Sequence, residues 1–160
     1  MKTWIAAALA LGITAQTMAA DPPSRADIKQ LERDYATLSL WAFTPGLLIK
    51  RCEKEYPDEL TQVRMGAMQW LTGQMERYEQ VERRRGLLLA MLSKAAGQST
   101  EKIDADFKRR VERDMVQGIF TDFSPEDRHQ ICLHLEASLP RIAAGAEEGL
   151  AEAMQRDWGR

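Results

Sequence analysis

Only two histidines and two cysteines occur among the 160 residues of this chain. A di-iron helical bundle needs two Glu-x-x-His motifs plus two further glutamates. Here a single such motif exists, Glu126 to His129, and His134 lies about 140° further round a helix. The ten glycines are scattered, so no loop is built to cradle a phosphate. No serine sits at a strand-to-helix nucleophile elbow. A surplus of positive charge is lacking too. With 22 basic and 24 acidic side chains the net charge is −2, which gives no electrostatic case for a nucleic-acid partner. Beyond the first twenty residues, no stretch approaches the roughly 20 apolar residues of a membrane span.

The amino terminus reads MKTWIAAALALGITAQTMAADPPS. Lys2 precedes an apolar run from Ile5 to Ala15, a small-residue segment follows, and Asp21-Pro22-Pro23-Ser24 is polar and proline-rich. That layout predicts a cleaved secretory signal peptide over residues 1–19, with Thr17 and Ala19 at the small positions. The expected mature part, 20–160, is one domain in the periplasm or outside the cell. Cleavage removes only one charged residue, Lys2, so the balance becomes one unit more acidic. In an exported chain an even cysteine pair implies a disulfide, Cys52–Cys132, and not free thiols or thiolate ligands.

Helical spacing dominates the rest, and the fold class expected is all-α: a single-domain bundle of five or six helices with one disulfide. Ser24 and Asp27 suit an N-terminal cap, followed by Ile28, Leu31, Tyr35 and Leu38 on one face. Trp41 and Phe43 are expected to end this helix. Thr44-Pro45 then reads as the start of a short second one bearing Cys52. A long helix is expected from near Asp58 to Ala96, with Gly73 and Gly86 as candidate bends and Gly97 as its C-terminal cap. Ser99-Thr100 restarts a helix that breaks over Phe120–Phe123. Ser124-Pro125-Glu126-Asp127 opens another, and Pro140 begins or bends the last.

The stretch FSPEDRHQICLHLE, residues 123–136, concentrates the chemistry-bearing side chains. Glu126, His129 and Cys132 recur every third residue and share a helical face. Local helix physics accounts for most of the segment: Ser124 as cap, Pro125 in the first turn, and Glu126 and Asp127 at the positive end of the helix dipole. A cysteine in a disulfide is no ligand. The expectation is therefore no catalytic residue, no metal and no cofactor, with His129 structural.

Met65, Met68 and Met75 lie close to one face of the long helix. Thioethers bind copper(I), but methionine more often fills core gaps, and Trp70 and Leu71 among these positions point to core packing. Glu82-Arg83-Arg84-Arg85 and Lys108-Arg109-Arg110 with Arg113 spread around their helices, with Glu79 and Glu82 as intrahelical partners. Phe120 and Phe123 precede the Ser124 helix as candidate partner contacts, or as a staple onto the core.

These absences lead to a non-catalytic expectation. The chain reads as an exported protein acting by protein–protein interaction, as an inhibitor, immunity-type or chaperone-like accessory of another exported protein. The alternative is a small-ligand or metal-binding protein using a cavity between helices.

Overall fold

Ser24 starts the first helix as the sequence predicts. In the computed structural model, which describes residues 24–147 and 149–158, its hydroxyl accepts from the Asp27 amide at 3.2 Å. The Asp27 carboxylate accepts in return from the Ser24 amide at 3.0 Å. This reciprocal box satisfies two amides that have no partner inside the helix. The signal-peptide expectation for residues 1–19 lies outside the described residues.

The first departure comes at Pro45. Helix α1 runs unbroken from Arg25 to Glu55 and carries Pro45 in its interior. An interior proline costs about 3 kcal/mol through a lost amide and a ring clash. On its two sides, however, Leu38 and Trp41, then Leu47 and Leu48, are all buried. Each such side chain is worth about 1.5–3 kcal/mol when taken out of water. Their burial on one continuous face outweighs the proline, and the Thr44 hydroxyl donates to the Leu40 carbonyl at 2.6 Å beside it.

A single 3-10 turn, Pro57–Glu59, leads into α2, Leu60–Ala96. This 37-residue helix passes Gly73 and Gly86 without interruption. It ends at Gly97, whose φ of 62° is left-handed and whose amide returns to the Ser93 carbonyl. Ser99 caps α3, Thr100–Val111. A π turn, Glu112–Val116, carries the chain on into α4, Gln117–Asp122, so these segments form one rod. The break falls at Phe123, which is extended, rather than at Phe120.

Ser124 caps α5, Pro125–Leu133. Helix α6, Leu135–Glu147, contains Pro140 in its interior, and the chain turns at His134 instead. Gly149, with a φ of 80°, precedes α7, Leu150–Gln155. Counting α3 and α4 as one rod, the described residues form six helices and no strand, as the periodicity predicts. None of the described helices is long and apolar enough to cross a membrane.

Helices α1 and α2 share the largest interface, and the others pack around that pair. The core divides into two clusters. One gathers Leu31, Tyr35, Leu38, Trp41, Val81, Leu88 and Leu92 with Ile103 of α3 and Leu150 of α7. The other gathers Leu48, Cys52, Val63, Ala67, Trp70, Val116 and Phe120 with Leu135 and Leu139 of α6. The Cys52–Cys132 bond lies in the second cluster, with both sulfur residues fully buried. It joins the last turn of α1 to α5, and not a separate short second helix.

Two polar networks lock the first cluster. Asp34, 4% exposed, accepts from Gln30 Nε2, Arg156 Nε and Trp158 Nε1 at 2.8, 2.9 and 3.0 Å. This holds the segment after α7 against α1. Arg85 is paired with both Glu82 and Asp104, and the Tyr35 hydroxyl donates to Asp104 at 2.6 Å. Burial and that bond to Asp104 push the Tyr35 phenol up to about 12. Arg85 also lies 4.6 Å from the centre of the Phe43 ring, so Phe43 is held inside α1 and does not end it.

Candidate functional site

The segment richest in reactive side chains is taken up by the fold. Ser124 Oγ accepts from the Asp127 amide at 3.1 Å, the cap expected from the sequence. Glu126 accepts from Gln130 one turn on. His129 turns away from Glu126 and toward the start of α2, where its Nε2 stands 2.8 Å from each carboxylate oxygen of Glu59. The Tyr56 ring lies 4.8 Å from the imidazole, tilted by 34°. Cys132 is bonded to Cys52 and offers no thiolate. The shared face of Glu126, His129 and Cys132 therefore does not converge on one point. The groups that engage His129, Tyr56 and Glu59, are 73 and 70 positions away in sequence, beyond the reach of helical spacing.

The two phenylalanines separate. Phe120 is 5% exposed. Arg51 covers its ring at 5.2 Å, and its carbonyl accepts from Arg128 Nη1 at 2.9 Å. Its ring is core, which fits the alternative of packing onto the core and not a partner contact. Phe123 is 47% exposed at the extended break before α5. The basic runs are largely paired as expected, Arg83 with Glu79 and Arg85 with Glu82 along α2.

The methionines overturn their reading outright. Met65, Met68 and Met75 are 63%, 68% and 56% exposed. They are not core. The reason lies in the angular offset between two stripes on α2. The side facing α1 and α6 buries Val63, Ala67, Trp70 and Val81. Met65 follows Val63 by two residues and Met68 precedes Trp70 by two, about 200° away at 100° per residue. A second stripe therefore runs along the outside: Met65, Met68, Thr72, Met75, at steps of three and four.

An apolar groove of about 400 Å³ lies along this stripe, lined by Met65, Met68, Gln69 and Thr72. The Thr72 hydroxyl donates to the Met68 carbonyl at 2.8 Å, so its polar atom is already engaged within the helix. Copper(I) does not suit the spacing. Met65 and Met68 are one turn apart, but Met75 lies two turns beyond Met68, about 10 Å along the axis, too far to share an ion. The face offers three flexible, polarizable side chains, the kind that repack against differently shaped apolar surfaces.

Comparisons of the chain with family models, with curated proteins and with solved structures each find no match.

Proposed function

We propose that this chain is an exported, non-catalytic helical module that binds another protein through the methionine face of α2. One observation carries the reading: three methionines, each more than half exposed, stand on one face of a helix whose opposite side is buried. Exposed apolar residues on soluble proteins are usually scattered singly, whereas a rimmed stripe of them marks an interaction surface. Unbranched thioether side chains adapt to several partner shapes, which favours a chaperone-like accessory over a one-partner inhibitor. The exported location rests on the amino-terminal sequence pattern, and the buried Cys52–Cys132 bond is consistent with an oxidising compartment.

The experiment is site-specific photo-crosslinking in the producing cell. A crosslinker at position 68 is expected to trap an apolar segment of another exported protein, and one at position 113 in the π turn after α3 is not. Equal products from both positions would remove the methionine face as the docking surface. Fractionation of the same cells tests the compartment independently.

A further inference from the structure

A second concave surface lies between α1 and α3, away from the methionine face. It is a cleft of about 420 Å³ lined by Lys29, Glu32, Arg33, Ala36, Phe107 and Arg110. The residues of α1 recur at three- and four-residue steps, so one side of that helix forms a wall. Positions 107 and 110, one turn apart on α3, form the other. The floor is fixed: the Phe107 ring stands edge-on to the buried Tyr35 at 4.8 Å. The Arg110 guanidinium lies over the same ring, 4.5 Å from its centre.

Charge is what marks this cleft. Most arginines on α1, α2 and α3 have an acidic partner, as with Arg51 and Glu55, Arg85 and Glu82, or Arg109 and Asp106. Among the described residues, no carboxylate stands within ion-pair distance of Lys29, Arg33 or Arg110. Glu32, on the same wall, is not paired with any of them either. Lys29, Arg33 and Arg110 thus line one concavity together with Glu32, beside the Phe107 ring, in a chain whose net charge is −2. With three cations against one carboxylate the lining is net positive, and a cleft with such a balance concentrates anionic ligands.

We propose that this cleft binds a small organic oxyanion: one phosphate or carboxylate group carried on a flat apolar body. Two guanidinium forks match the geometry of a phosphate or carboxylate, and Lys29 adds a point charge. Ala36 and the part of Phe107 left open beside Arg110 supply an apolar surface for the body. Glu32 disfavours a second anionic group on its side and accepts from a hydroxyl or amine there. The volume lies within the roughly 300–1,000 Å³ of small-molecule sites. The inference is independent of the methionine face and stands or falls without it.

The test is an NMR titration of the full chain with phenyl phosphate and with inorganic phosphate, following the arginine Nε–Hε resonances. Saturable shifts are expected at Arg33 and Arg110, with phenyl phosphate binding roughly tenfold more tightly, about 1.4 kcal/mol. Arg33→Gln with Arg110→Gln is expected to weaken phenyl phosphate at least tenfold, and so is Lys29→Gln with Arg33→Gln. All these side chains are exposed, so thermal unfolding is expected to be unchanged in both pairs. Arg113→Gln, beyond the cleft, is expected to bind normally. Non-saturating shifts spread over all arginines, or equal weakening by Arg113→Gln, would overturn the site. A parallel arm sediments the chain with phosphatidylglycerol vesicles. Co-sedimentation that depends on Arg33 and Arg110 would assign the cleft to a lipid surface and end the small-ligand proposal.

Discussion

His129 and Glu59 face each other across 70 residues of sequence, the imidazole Nε2 2.8 Å from each carboxylate oxygen. The contact ties the 3-10 turn before α2 to α5, one helical turn before Cys132 fixes α5 to α1. Both side chains are about one-third exposed, 31% and 33%, so water screens the pair and its worth is limited. A double-mutant cycle with His129→Ala and Glu59→Gln, followed by urea unfolding, is expected to give a coupling of about 0.5–1 kcal/mol. His129→Ala is also expected to leave the metal content of the purified protein unchanged. Strict additivity of the two substitutions would mean that the contact is not a stabilising one.

The disulfide is expected to contribute far more than that contact. It closes a loop of 80 residues, which in the chain-entropy model is worth about 4 kcal/mol at room temperature. Cys52→Ser with Cys132→Ser should lower the free energy of unfolding by an amount of that order. Thiol labelling of the unreduced, denatured wild type should find no free cysteine, and two labelled thiols would contradict the bond.

Helix α2 keeps two glycines that it does not need for shape. Gly73 and Gly86 are exposed, have negative φ, and have nothing within 4 Å of where a Cβ would sit. Alanine at either site restricts the unfolded chain and improves helix propensity, so each change should stabilise by about 0.5–1 kcal/mol. Gly97 is the opposite case. Its φ of 62° makes alanine there cost about 1 kcal/mol. The three denaturation midpoints test the assignment together, since a uniform response would contradict it.

Tyr35 sets an alkaline limit. An unfolded tyrosine ionises near 10, whereas burial and the bond to Asp104 hold the folded phenol at about 12. The folded state therefore favours the protonated form. Its contribution to stability is fully present below pH 10 and is lost as pH rises through 12. Tyr35→Phe removes this titration and is expected to flatten the fall in urea midpoint over that window. At neutral pH it should cost only about 1 kcal/mol, the net worth of a hydrogen bond, because Asp104 keeps Arg85 as a partner. An equally steep alkaline loss in the variant would assign the limit to another group, of which Tyr78, also raised by burial, is the first to examine.

Local signals explain why some of this was legible and some was not. The caps at Ser24, Ser99 and Ser124 and the stop at Gly97 are set by neighbours three to five residues away. Sequence spacing reports such short-range physics well. Pro45 misled because proline's local penalty is smaller than the burial gained by continuing the helix, and Pro140 lies inside α6 and does not begin it. The partner of His129 was hidden because Glu59 reaches it only through the tertiary fold. The methionines were misread for a related reason. Their spacing is helical whichever side of α2 is covered, and only the position of α1 and α6 decides between the two stripes.

The exposed methionines separate surface from core in a way that can be measured. Trp70 is 7% exposed beside them, and Trp70→Ala should cost about 3–5 kcal/mol through lost burial and a cavity. Met65→Glu and Met68→Glu remove little buried area and should change stability by no more than about 0.5 kcal/mol. Oxidation supplies an independent reading, since a thioether must be reached by the oxidant to become a sulfoxide. Brief treatment with hydrogen peroxide, followed by peptide mass spectrometry, should modify Met65, Met68 and Met75 before the partly buried Met91, Met115 and Met154. If a partner covers the face in the cell, protein oxidised within the intact compartment should show the reverse order, with Met65 and Met68 protected. Rapid oxidation of Met65 and Met68 both in isolation and in the compartment would leave the face uncovered there and would count against the docking role.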